Sequence, residues 1–551
     1  MPLHELAGQT PPRDFLVDVP RLISAYYQGE PLVEEPSQRI SFGTSGHRGS
    51  SLTGSFNEAH IAAVTAALVE YRKAEGIGGP ILIGFDTHAL AWPAFMTCVE
   101  VLAAAGVPFR YQHDNAPTPT PVISQAIIAA NRQGGQGGRG GARCDGIILT
   151  PSHNPPGDGG FKYNPPHGGP ADTGATGWIE RRANELLANW QAISRQPFDR
   201  AIKSGAAQGV DFIRPYVEAL DTVVDMQAIA RAGVSIGVDP MGGAGLPYWE
   251  PIAEHYGLDL TVVNRQVEPD FRFIPLDHDG KIRMDCSSPY AMAGLLKIKD
   301  GFDVAFGNDT DADRHGIVSP EGGLINPNHF LSVSIDYLFG HRPDWRGDLK
   351  VGKTIVSSSM IDRVAGGLGR EVYETPVGIK WFQPGLTDGW LGFGGEESAG
   401  ATFLARNGEV WNTDKDGLTM GLLAAEILAV TGEDVWARFN RLIDRYGQPF
   451  YARRDAALSA EQKERFKALD PNQLAIDRLA GESVTGVRTR APGNEAPIGG
   501  LKVETANGWF AARPSGTEPI YKIYAESFRD PGHLEEIFAQ AEQVVGEALN
   551  G

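Results

Sequence analysis

Short apolar runs and longer amphipathic stretches alternate along most of the chain. A short apolar run that ends at Gly, Pro or Asp predicts a buried strand, whereas apolar residues spaced three and four apart predict a helix. Strands are predicted at residues 81–86, 146–149, 234–239, 258–263, 302–309, 351–357 and 371–374. Helices are predicted at residues 57–73, 121–130, 248–256, 289–299, 327–339, 361–368 and 417–430, and between the first strand and residue 105. This alternation with short links is typical of layered α/β domains.

The C-terminal part of the chain has a different pattern. Residues 501–510 alternate apolar and polar positions around Asn507-Gly508, which is a strong hairpin signal. Residues 521–524 alternate again, and residues 531–549 have helical periodicity. We therefore predict three related α/β sandwich domains and a smaller C-terminal α+β domain around a central cleft. The predicted domains are residues 1–205, 206–322, 323–444 and 445–551.

Charge and cysteine content exclude several classes of protein. The formal net charge of -19 argues against a nucleic-acid partner or an anionic membrane surface. Cys98, Cys144 and Cys286 are far apart and form no CxxC pair, so neither a zinc site nor a disulfide framework is indicated. The first residues lack the apolar segment of a secretory signal, and no apolar stretch is long enough to cross a bilayer. A cytoplasmic protein is expected.

One loop carries a candidate nucleophile. The strand at residues 146–149 runs into Thr150-Pro151-Ser152-His153-Asn154-Pro155-Pro156, whose prolines stop the strand and stiffen the loop. A serine held on such a loop at the end of a buried strand is well placed for chemistry. Considered alone, the segment is more typical of an ordinary surface turn.

A second loop predicts a metal site. Asp309, Asp311 and Asp313 alternate in Asp309-Thr310-Asp311-Ala312-Asp313-Arg314, so an extended backbone points their carboxylates to one side. An EF-hand loop is excluded, because its sixth and twelfth positions would be Arg314 and Pro320. Oxygen ligands without accompanying His or Cys favour Mg²⁺ over zinc. The alternative is an acidic turn exposed to solvent.

Further loops offer groups suited to a phosphorylated sugar. Glu396 and Ser398 lie between glycines, and a carboxylate beside a hydroxyl suits sugar hydroxyls. The segment Arg513-Pro514-Ser515-Gly516-Thr517 combines a guanidinium, hydroxyls and free backbone N–H groups, a set that matches phosphate, and Lys522 follows it. Thr44, Ser45 and Arg48 lie in a glycine-bounded loop. Considered singly, Lys162, Lys380 and Lys415 are typical of surface residues.

With these loops in this order, the chain resembles the α-D-phosphohexomutase superfamily, and within it the bacterial-type phosphoglucomutases. The resemblance runs from about residue 40 to the end of the chain. Its motifs are Thr150–Pro155, Asp309–Arg314, Gly395–Ser398 and Arg513–Thr517. One position departs from the pattern: Val377 stands where some members carry a hydroxyl, in the segment that holds Gly378 and Lys380.

The resemblance implies a role for each candidate residue. Ser152 would be the phosphoserine, and Asp309, Asp311 and Asp313 would hold Mg²⁺ together with an oxygen of Ser152. Lys162 and Lys415 would transfer protons, and Arg48 and Arg314 would stabilise the phosphoryl group. Substrate would be bound by Thr44, Ser45, His153, Arg314, Gly378, Lys380, Glu396, Ser398, Arg513, Ser515, Gly516, Thr517 and Lys522.

The implied reaction interconverts α-D-glucose 1-phosphate and α-D-glucose 6-phosphate, with glucose 1,6-bisphosphate as intermediate and activator. The protein would be a cytoplasmic monomer or homodimer whose partner is a small-molecule sugar phosphate. Three alternatives stay open: a mutase for mannose or glucosamine phosphates, a Mg²⁺-dependent sugar phosphatase, and a non-catalytic sugar-phosphate-binding protein. The Gly-rich segment at residues 133–143 is predicted to be a surface loop without an assigned role.

Overall fold

The computed structural model describes residues 3–43, 46–135, 142–467, 476–514 and 520–550. The chain divides into two compact units, one formed by Pro2–Ile325 with Ala399–Asp434 and the other by Asn326–Ser398 with Val435–Gly551. Within the described ranges, no helix is both long enough and apolar enough to span a membrane.

The first domain is built on a seven-stranded sheet with the order β1-β2-β6-β5-β3-β4-β7. Strands β3, β4, β5 and β7 run parallel, and β6, β2 and β1 continue the sheet in antiparallel pairs. The strands are β1 (Phe42–Gly43), β2 (Gly46–Gly49), β3 (Ile81–Phe85), β4 (Phe109–Gln112), β5 (Asp145–Leu149), β6 (Gly159–Asn164) and β7 (Ala207–Val210). The helices are α1 (Val19–Gln28), α2 (Glu58–Ala74), α3 (Ala91–Ala104), α4 (Thr120–Gly135), α5 (Thr173–Leu187) and α6 (Phe198–Ala201).

Close packing of α4 on the sheet depends on two glycines. Helix α4 packs on β3 and β5, while α2 packs against α3 and α5. A Cβ atom at Gly84 or Gly146 would lie 2.7 or 2.8 Å from Ile123 of α4. Both distances are too short for a real Cβ atom. Glycine at these two strand positions therefore allows α4 to pack closely on the sheet, next to the strand β5 that leads into the loop with Ser152 (the serine loop).

The second domain contains a five-stranded sheet with the order β12-β11-β10-β8-β9, in which β10, β8 and β9 are parallel. Parallel strands place their carboxyl ends at one edge of a sheet, where loops that carry ligands usually lie. Its strands are β8 (Ile236–Asp239), β9 (Leu260–Val262), β10 (Val304–Gly307), β11 (Gly316–Ser319) and β12 (Gly323–Leu324). Its helices are α7 (Ile213–Ala219), α8 (Met226–Ala232), α9 (Leu246–Tyr256) and α10 (Ala293–Leu296).

The third α/β segment follows. Strands β14, β13 and β15 are parallel neighbours in that order, and α11 packs against α12 and α15. Its strands are β13 (Lys350–Thr354), β14 (Val372–Thr375), β15 (Leu391–Glu396) and β16 (Gly400–Phe403). Its helices are α11 (Pro327–His341), α12 (Met360–Gly367), α13 (Gln383–Thr387), α14 (Gly417–Thr431) and α15 (Val435–Tyr446). Helix α14 belongs to the unit that contains the first two domains, and there it packs on β10 and α8.

The C-terminal domain is an antiparallel sheet with the order β17-β23-β22-β21-β20, covered by α17. The buried Lys502 of β21 joins it to β14, because its Nζ lies 2.6 Å from Oε1 of Glu374. The strands are β17 (Phe450–Ala457), β18 (Arg478–Leu479), β19 (Glu482–Ser483), β20 (Gly486–Arg490), β21 (Pro497–Glu504), β22 (Gly508–Pro514) and β23 (Ile520–Ser527). The helices are α16 (Ala460–Lys467) and α17 (Pro531–Asn550).

The predicted fold class, three α/β domains followed by a smaller α+β domain, is confirmed. The hairpin at Asn507-Gly508 is also confirmed, since Glu504 of β21 pairs with Trp509 of β22. The helix predicted at residues 289–299 is wrong in length: only Ala293–Leu296 is helical, and a 3-10 turn at Lys299–Gly301 follows. Gly294 and Gly301 lower the helical propensity of this segment. The domain boundaries at 205, 322 and 444 stay predictions.

Candidate active site

Ser152 lies on a loop that the β5–β6 hairpin closes at its base. Strand β5 ends at Leu149 and β6 begins at Gly159, and the N–H of Thr150 donates to the carbonyl of Gly160 at 3.0 Å. Ser152 is buried and has a φ of 56°, in the left-handed region that non-glycine residues rarely adopt. Such strained backbone is concentrated at functional sites. The burial and the left-handed conformation of Ser152 therefore distinguish this loop from an ordinary surface turn.

The hydroxyl of Ser152 points at the aspartate loop that follows β10. Its Oγ donates to Oδ2 of Asp309 at 2.6 Å. Ligand oxygens of Asp309, Asp311 and Asp313 all lie within 4.8 Å of one another, and the three residues are buried. The alternative of a solvent-exposed acidic turn is therefore wrong, because the triplet lies inside the protein beside the candidate nucleophile.

The carboxylates of this triplet fit a divalent cation. Oδ1 of Asp311 and Oδ1 of Asp313 are buried and accept no hydrogen bond from any described residue. Burial, followed by the charges of Asp311 and Asp313, raises the pKa of Asp309 well above its ordinary value. A hard cation would relieve this repulsion and satisfy the unpaired oxygens, and carboxylate oxygens are the ligands that Mg²⁺ prefers. The residues that would hold it are Asp309, Asp311 and Asp313, with Ser152 beside them.

Two lysines approach the triplet from different parts of the chain. Nζ of Lys162, on β6, lies 2.6 Å from Oδ2 of Asp311 and 3.1 Å from Oδ2 of Asp313. Nζ of Lys415 lies 3.0 Å from the same Asp313 oxygen. The side chain of Asp416, the next residue, accepts from the N–H of Thr419 and so caps α14, which fixes the chain at this point. Both lysines are buried, so the expectation of surface residues is wrong for them.

The pKa values of Lys162 and Asp313 are shifted by the charges around them. Burial alone would lower the pKa of Lys162, but the carboxylates of Asp311 and Asp313 raise it above its ordinary value. Burial alone would raise the pKa of Asp313, but the ammonium groups of Lys162 and Lys415 lower it below its ordinary value. The lysine is thus held charged next to the serine loop.

Two arginines and a histidine complete the surroundings of Ser152. Arg48, on β2, donates to Oδ1 of Asn154 at 3.0 Å, and the backbone N–H of Arg314 donates to Oδ1 of Asp309 at 3.0 Å. Nδ1 of His153 lies 3.3 Å from the Ser152 oxygen. Burial and then the charge of Arg314 lower the pKa of His153 well below its ordinary value, so the imidazole is neutral. The loop therefore combines a hydroxyl, a neutral acceptor and fixed cations.

Two residues that the sequence patterns did not identify, Asp86 and His88, help to hold these loops in place together with Thr150 and Thr310. Asp86, at the end of β3, accepts hydrogen bonds from His88 and Thr150, and the hydroxyl of Thr310 donates to the carbonyl of Ser152 at 2.6 Å. One signal could have identified Asp86. The segments at residues 81–86 and 234–239 both end in Asp, and the carboxyl ends of central parallel strands are where ligand sites form.

The predicted sugar-binding residues lie in the other unit. Glu396 ends β15, is buried, and its Oε1 accepts from the N–H of Gly378 at 2.8 Å. Gly378 has a φ of 128°, which an L-residue with a side chain rarely adopts. Nζ of Lys380 lies 5.6 Å from the ring centroid of Trp381. Ser398 lies two residues beyond the end of β15.

The predicted phosphate-binding cations are direct neighbours on the C-terminal sheet. Arg513 of β22 pairs with Lys522 of β23, so their side chains share one face of the sheet. Two adjacent cations suit a doubly charged oxyanion. The remaining predicted site residues fall outside the described part of the chain: Thr44, Ser45, Ser515, Gly516 and Thr517.

Comparison with known proteins places the chain in a family. Models of the phosphoglucomutase/phosphomannomutase alpha/beta/alpha domains I, II and III match residues 39–189, 214–322 and 326–446. The model of the C-terminal domain of the same family matches residues 460–544.

Individual relatives agree with this assignment. A phosphoglucomutase of Komagataeibacter xylinus is 54% identical over 544 residues, which cover 98% of this chain and 97% of the relative. A phosphoglucomutase/phosphomannomutase of Thermococcus kodakarensis is 26% identical, with 87% and 92% covered. The crystal structure of a putative phosphomannomutase from Thermus thermophilus has a TM-score of 0.71 at 25% identity, with 93% and 100% covered. The chain belongs to the phosphoglucomutase/phosphomannomutase family.

Proposed function

We propose that this chain is a phosphoglucomutase that moves a phosphoryl group between O1 and O6 of glucose through Ser152. The observation that carries the proposal is the position of the Ser152 hydroxyl, 2.6 Å from Asp309 in a buried aspartate triplet. The 54% identity to a bacterial phosphoglucomutase over nearly the whole chain supports the same activity and its isomerase class. The proposed substrates are α-D-glucose 1-phosphate and α-D-glucose 6-phosphate, with glucose 1,6-bisphosphate as intermediate.

The residues around Ser152 fit the demands of phosphoryl transfer. The transition state is loose and highly charged, so catalysis consists mostly of alignment and charge neutralisation. Arg48, Arg314 and Lys162 supply fixed positive charge, and a charge pair at 4 Å is worth about 4 kcal/mol at an effective dielectric near 20. A bound Mg²⁺ would add divalent charge against the phosphoryl oxygens. The net charge of -19 makes this local concentration of cations the more important for an anionic substrate.

Proton transfer accompanies each half of the cycle. Lys162 is held charged by Asp311 and Asp313, so it can give a proton to the oxygen from which the phosphoryl group departs. His153 is neutral, and its Nδ1 lies 3.3 Å from the Ser152 oxygen, so in this proposal it receives the serine proton when Ser152 takes up a phosphoryl group. Lys415, bound to Asp313, is a second proton donor in this proposal.

The proposed cycle has two transfers and one reorientation. Phosphorylated Ser152 gives its group to O6 of α-D-glucose 1-phosphate, and the Ser152 oxygen gains a proton as the sugar hydroxyl loses one. The bisphosphate turns so that the phosphate on O1 meets Ser152. The Ser152 oxygen then takes that phosphoryl group and loses its proton as the bond to O1 breaks and O1 gains a proton, which leaves glucose 6-phosphate. In both orientations the distal phosphate binds Arg513, Ser515, Gly516, Thr517 and Lys522, while Glu396, Ser398, Gly378 and Lys380 contact the sugar.

The direct test measures turnover of glucose 1-phosphate with a trace of glucose 1,6-bisphosphate, with and without a chelator of divalent ions. We expect conversion by the wild type, loss of conversion with chelator, and a mass increase of one phosphoryl group on Ser152. The Ser152→Ala variant is expected to be inactive, whereas Ser204→Ala, at a partly buried serine of the first domain, is the matched control. Conversion that survives Ser152→Ala would contradict the proposal.

Two further assays distinguish the proposed activity from a sugar phosphatase and from a mutase for mannose phosphate. Release of inorganic phosphate faster than isomerisation would identify a phosphatase. Mannose 1-phosphate is included because the Thermococcus relative is a phosphoglucomutase/phosphomannomutase, and faster turnover of mannose than of glucose phosphate would assign the mannose activity. The same assays establish whether Mg²⁺ and the bisphosphate act as cofactor and activator, and fractionation with gel filtration tests the cytoplasmic monomer or homodimer.

A further inference from the structure

The carboxylate of Asp86 is linked to both the backbone N–H and the backbone carbonyl of Ser152, whose conformation is strained. The backbone N–H of Ser152 donates to Oγ1 of Thr150 at 2.8 Å, and that hydroxyl donates to Oδ2 of Asp86 at 2.6 Å. The carbonyl of Ser152 accepts from Oγ1 of Thr310 at 2.6 Å, and Oγ1 of Thr310 is 3.1 Å from the same Asp86 oxygen. Both polar backbone atoms of Ser152 are therefore connected to Asp86 through a single threonine hydroxyl each.

Asp86 is itself fixed by a histidine two residues later. Its Oδ1 accepts from the backbone N–H of His88 at 2.9 Å, and its Oδ2 lies 2.9 Å from Nδ1 of His88. The other ring nitrogen, Nε2, lies 3.0 Å from the carbonyl oxygen of Asn154. Both ring nitrogens thus face oxygen atoms that can only accept, and a neutral imidazole carries one N–H, so this geometry requires the protonated ring.

The charge states agree with this geometry. Burial alone would lower the pKa of His88, but the Asp86 carboxylate raises it above its ordinary value. Asp86 and His88 are both almost completely buried. A buried ion pair of this kind is a poor source of net stability, because desolvating both charges offsets their attraction. Its value lies in the fixed orientation of the groups that hydrogen-bond to it.

The pair connects both loops of the site. The ring of His88 holds the carbonyl of Asn154, whose side chain accepts from Arg48, so the pair reaches one of the cations. Thr310 lies between Asp309 and Asp311, so the other connection reaches the aspartate triplet. Thr87, between the two members of the pair, donates to the carbonyl of Gly242 at 2.7 Å, which attaches this segment to the second domain.

We propose that Asp86 and His88 are positioning residues that hold Ser152 in its left-handed conformation and align it with the aspartate triplet. This proposal rests on the proposed phosphotransfer function. Neither residue touches the reacting atoms, so their effect is exerted through Thr150, Thr310 and Asn154. Removing them should slow transfer to and from Ser152 while leaving the binding of sugar phosphate nearly unchanged, because the predicted sugar- and distal-phosphate-binding residues lie elsewhere in the chain.

The test compares Asp86→Asn with Asp145→Asn as the matched control. Asp145 is equally buried, begins the same strand β5 that ends at the serine loop, and accepts hydrogen bonds from Arg72 at 2.8 Å and Tyr163 at 2.9 Å. Both variants lose a buried charge, so both should have a lower melting temperature. Only Asp86→Asn should lower kcat, by about 10–100-fold with KM within about twofold, as expected for misplacement of a reacting group.

Thr150 provides a second variant that does not disturb the ion pair. Thr150→Val keeps the volume but removes the hydroxyl, and we expect the same loss of kcat and slower phosphorylation of Ser152 by glucose 1,6-bisphosphate. Thr150→Ser restores the hydroxyl and should recover most of kcat. A role in packing alone would give the opposite order, because Thr150→Val keeps the volume of this buried side chain whereas Thr150→Ser removes a methyl group.

The outcomes separate the two proposals. A wild type without conversion and without phosphoserine would end the proposed function, and the positioning role with it. An active wild type combined with an Asp86→Asn variant of unchanged kcat would overturn only the positioning role. So would an Asp145→Asn variant that loses as much kcat as Asp86→Asn, because the effect would then reflect damage to the domain.

Discussion

At the scale of single residues, the site is defined by oxygen atoms gathered in a buried space. Ser152, Asp309, Asp311 and Asp313 are all buried, and their proximity is stabilised by Lys162 and Lys415 on two sides. Charges of one sign this close are unfavourable without compensation. The lysines provide part of that compensation, and the two carboxylate oxygens that accept no hydrogen bond from the described residues provide a place for a cation.

The metal site leads to the first prediction. Asp311→Asn should reduce the affinity for Mg²⁺ by more than the roughly 10–100-fold that loss of an outer hydrogen-bond partner typically causes, because a charged ligand is replaced by a neutral one. Calorimetric titration with MgCl₂ measures the change. Asp279→Asn is the matched control, since Asp277, His278 and Asp279 form a second acidic group outside the proposed site. Equal loss of affinity in both variants would contradict the assignment.

The identity of the site residues was largely predictable, but their environment was not. Ser152 and the aspartates stand in recognisable motifs, whereas Lys162 and Lys415 were indistinguishable from surface lysines in the sequence. Lys162 meets Asp311 across 149 positions of the chain. A contact of that separation depends on how β6 and the second domain pack, which no local pattern contains. His88 was not identified for the same reason, because its ring contacts Asn154, which lies 66 positions away in the chain.

At the scale of elements, the spacing of apolar residues and the Gly, Pro and Asp residues that end apolar runs predicted the central strands and long helices well. Predicted strand 81–86 corresponds to β3, and predicted helix 327–339 to α11. Strands β4, β6 and β7 were not predicted, because short strands with glycine and polar residues lack a clear apolar run. Strand β6 matters most, since it carries Lys162 and closes the serine loop through Gly160. A Cβ atom at Gly160 would lie 2.0 Å from the carbonyl oxygen of Thr150.

Two histidines at the contact between β2 and α2 should make the stability of the protein depend on pH. The rings of His47 and His60 stack at 5.7 Å between centroids, and both are buried. Nε2 of His60 lies 2.8 Å from the carbonyl oxygen of Gln38, and its Nδ1 lies 2.8 Å from Oδ1 and 3.3 Å from the backbone nitrogen of Asn57. Burial lowers the pKa of each histidine to about 4.

The sign of the pH effect follows from these values. The unfolded chain has histidine pKa values near 6.5, so between about pH 6.5 and 4 it binds more protons than the folded protein. Stability is therefore lost as the pH falls through this window, by up to about 1.4 kcal/mol per pH unit for each histidine. In urea denaturation, the free energy of unfolding of His60→Gln should vary less with pH than that of the wild type between about pH 7 and 5. The exposed His255→Gln should match the wild type, and an unchanged slope in His60→Gln would contradict the argument.

At the scale of the whole molecule, the proposed cycle requires one distal site to bind two orientations of the same intermediate. Arg513 and Lys522 are the described cations of that site and are direct neighbours on β22 and β23. A phosphate bound by two separate cationic side chains can be recognised from either end of the sugar, because the guanidinium and ammonium groups contact only the phosphate oxygens. The binding of glucose 1-phosphate and the binding of glucose 6-phosphate should therefore depend equally on Arg513 and Lys522.

This symmetry is testable in both directions of the reaction. Arg513→Ala should raise KM for glucose 1-phosphate and for glucose 6-phosphate by similar factors of about 10–100, equivalent to the loss of charge-assisted hydrogen bonds. Arg529→Ala is the control, because Arg529 is exposed and lies 3.6 Å from Glu482. An effect confined to one substrate would show that each orientation uses its own phosphate site.

The most direct measurement follows a labelled phosphoryl group out of the enzyme. Protein carrying a labelled phosphoryl group on Ser152 is mixed with excess unlabelled glucose 1-phosphate in a single-turnover experiment, and the label is located on the sugar over time. We predict that the label appears at O6 of glucose at a rate at least equal to kcat. A label that stays on the protein during turnover, or that leaves as inorganic phosphate, would contradict the role of Ser152.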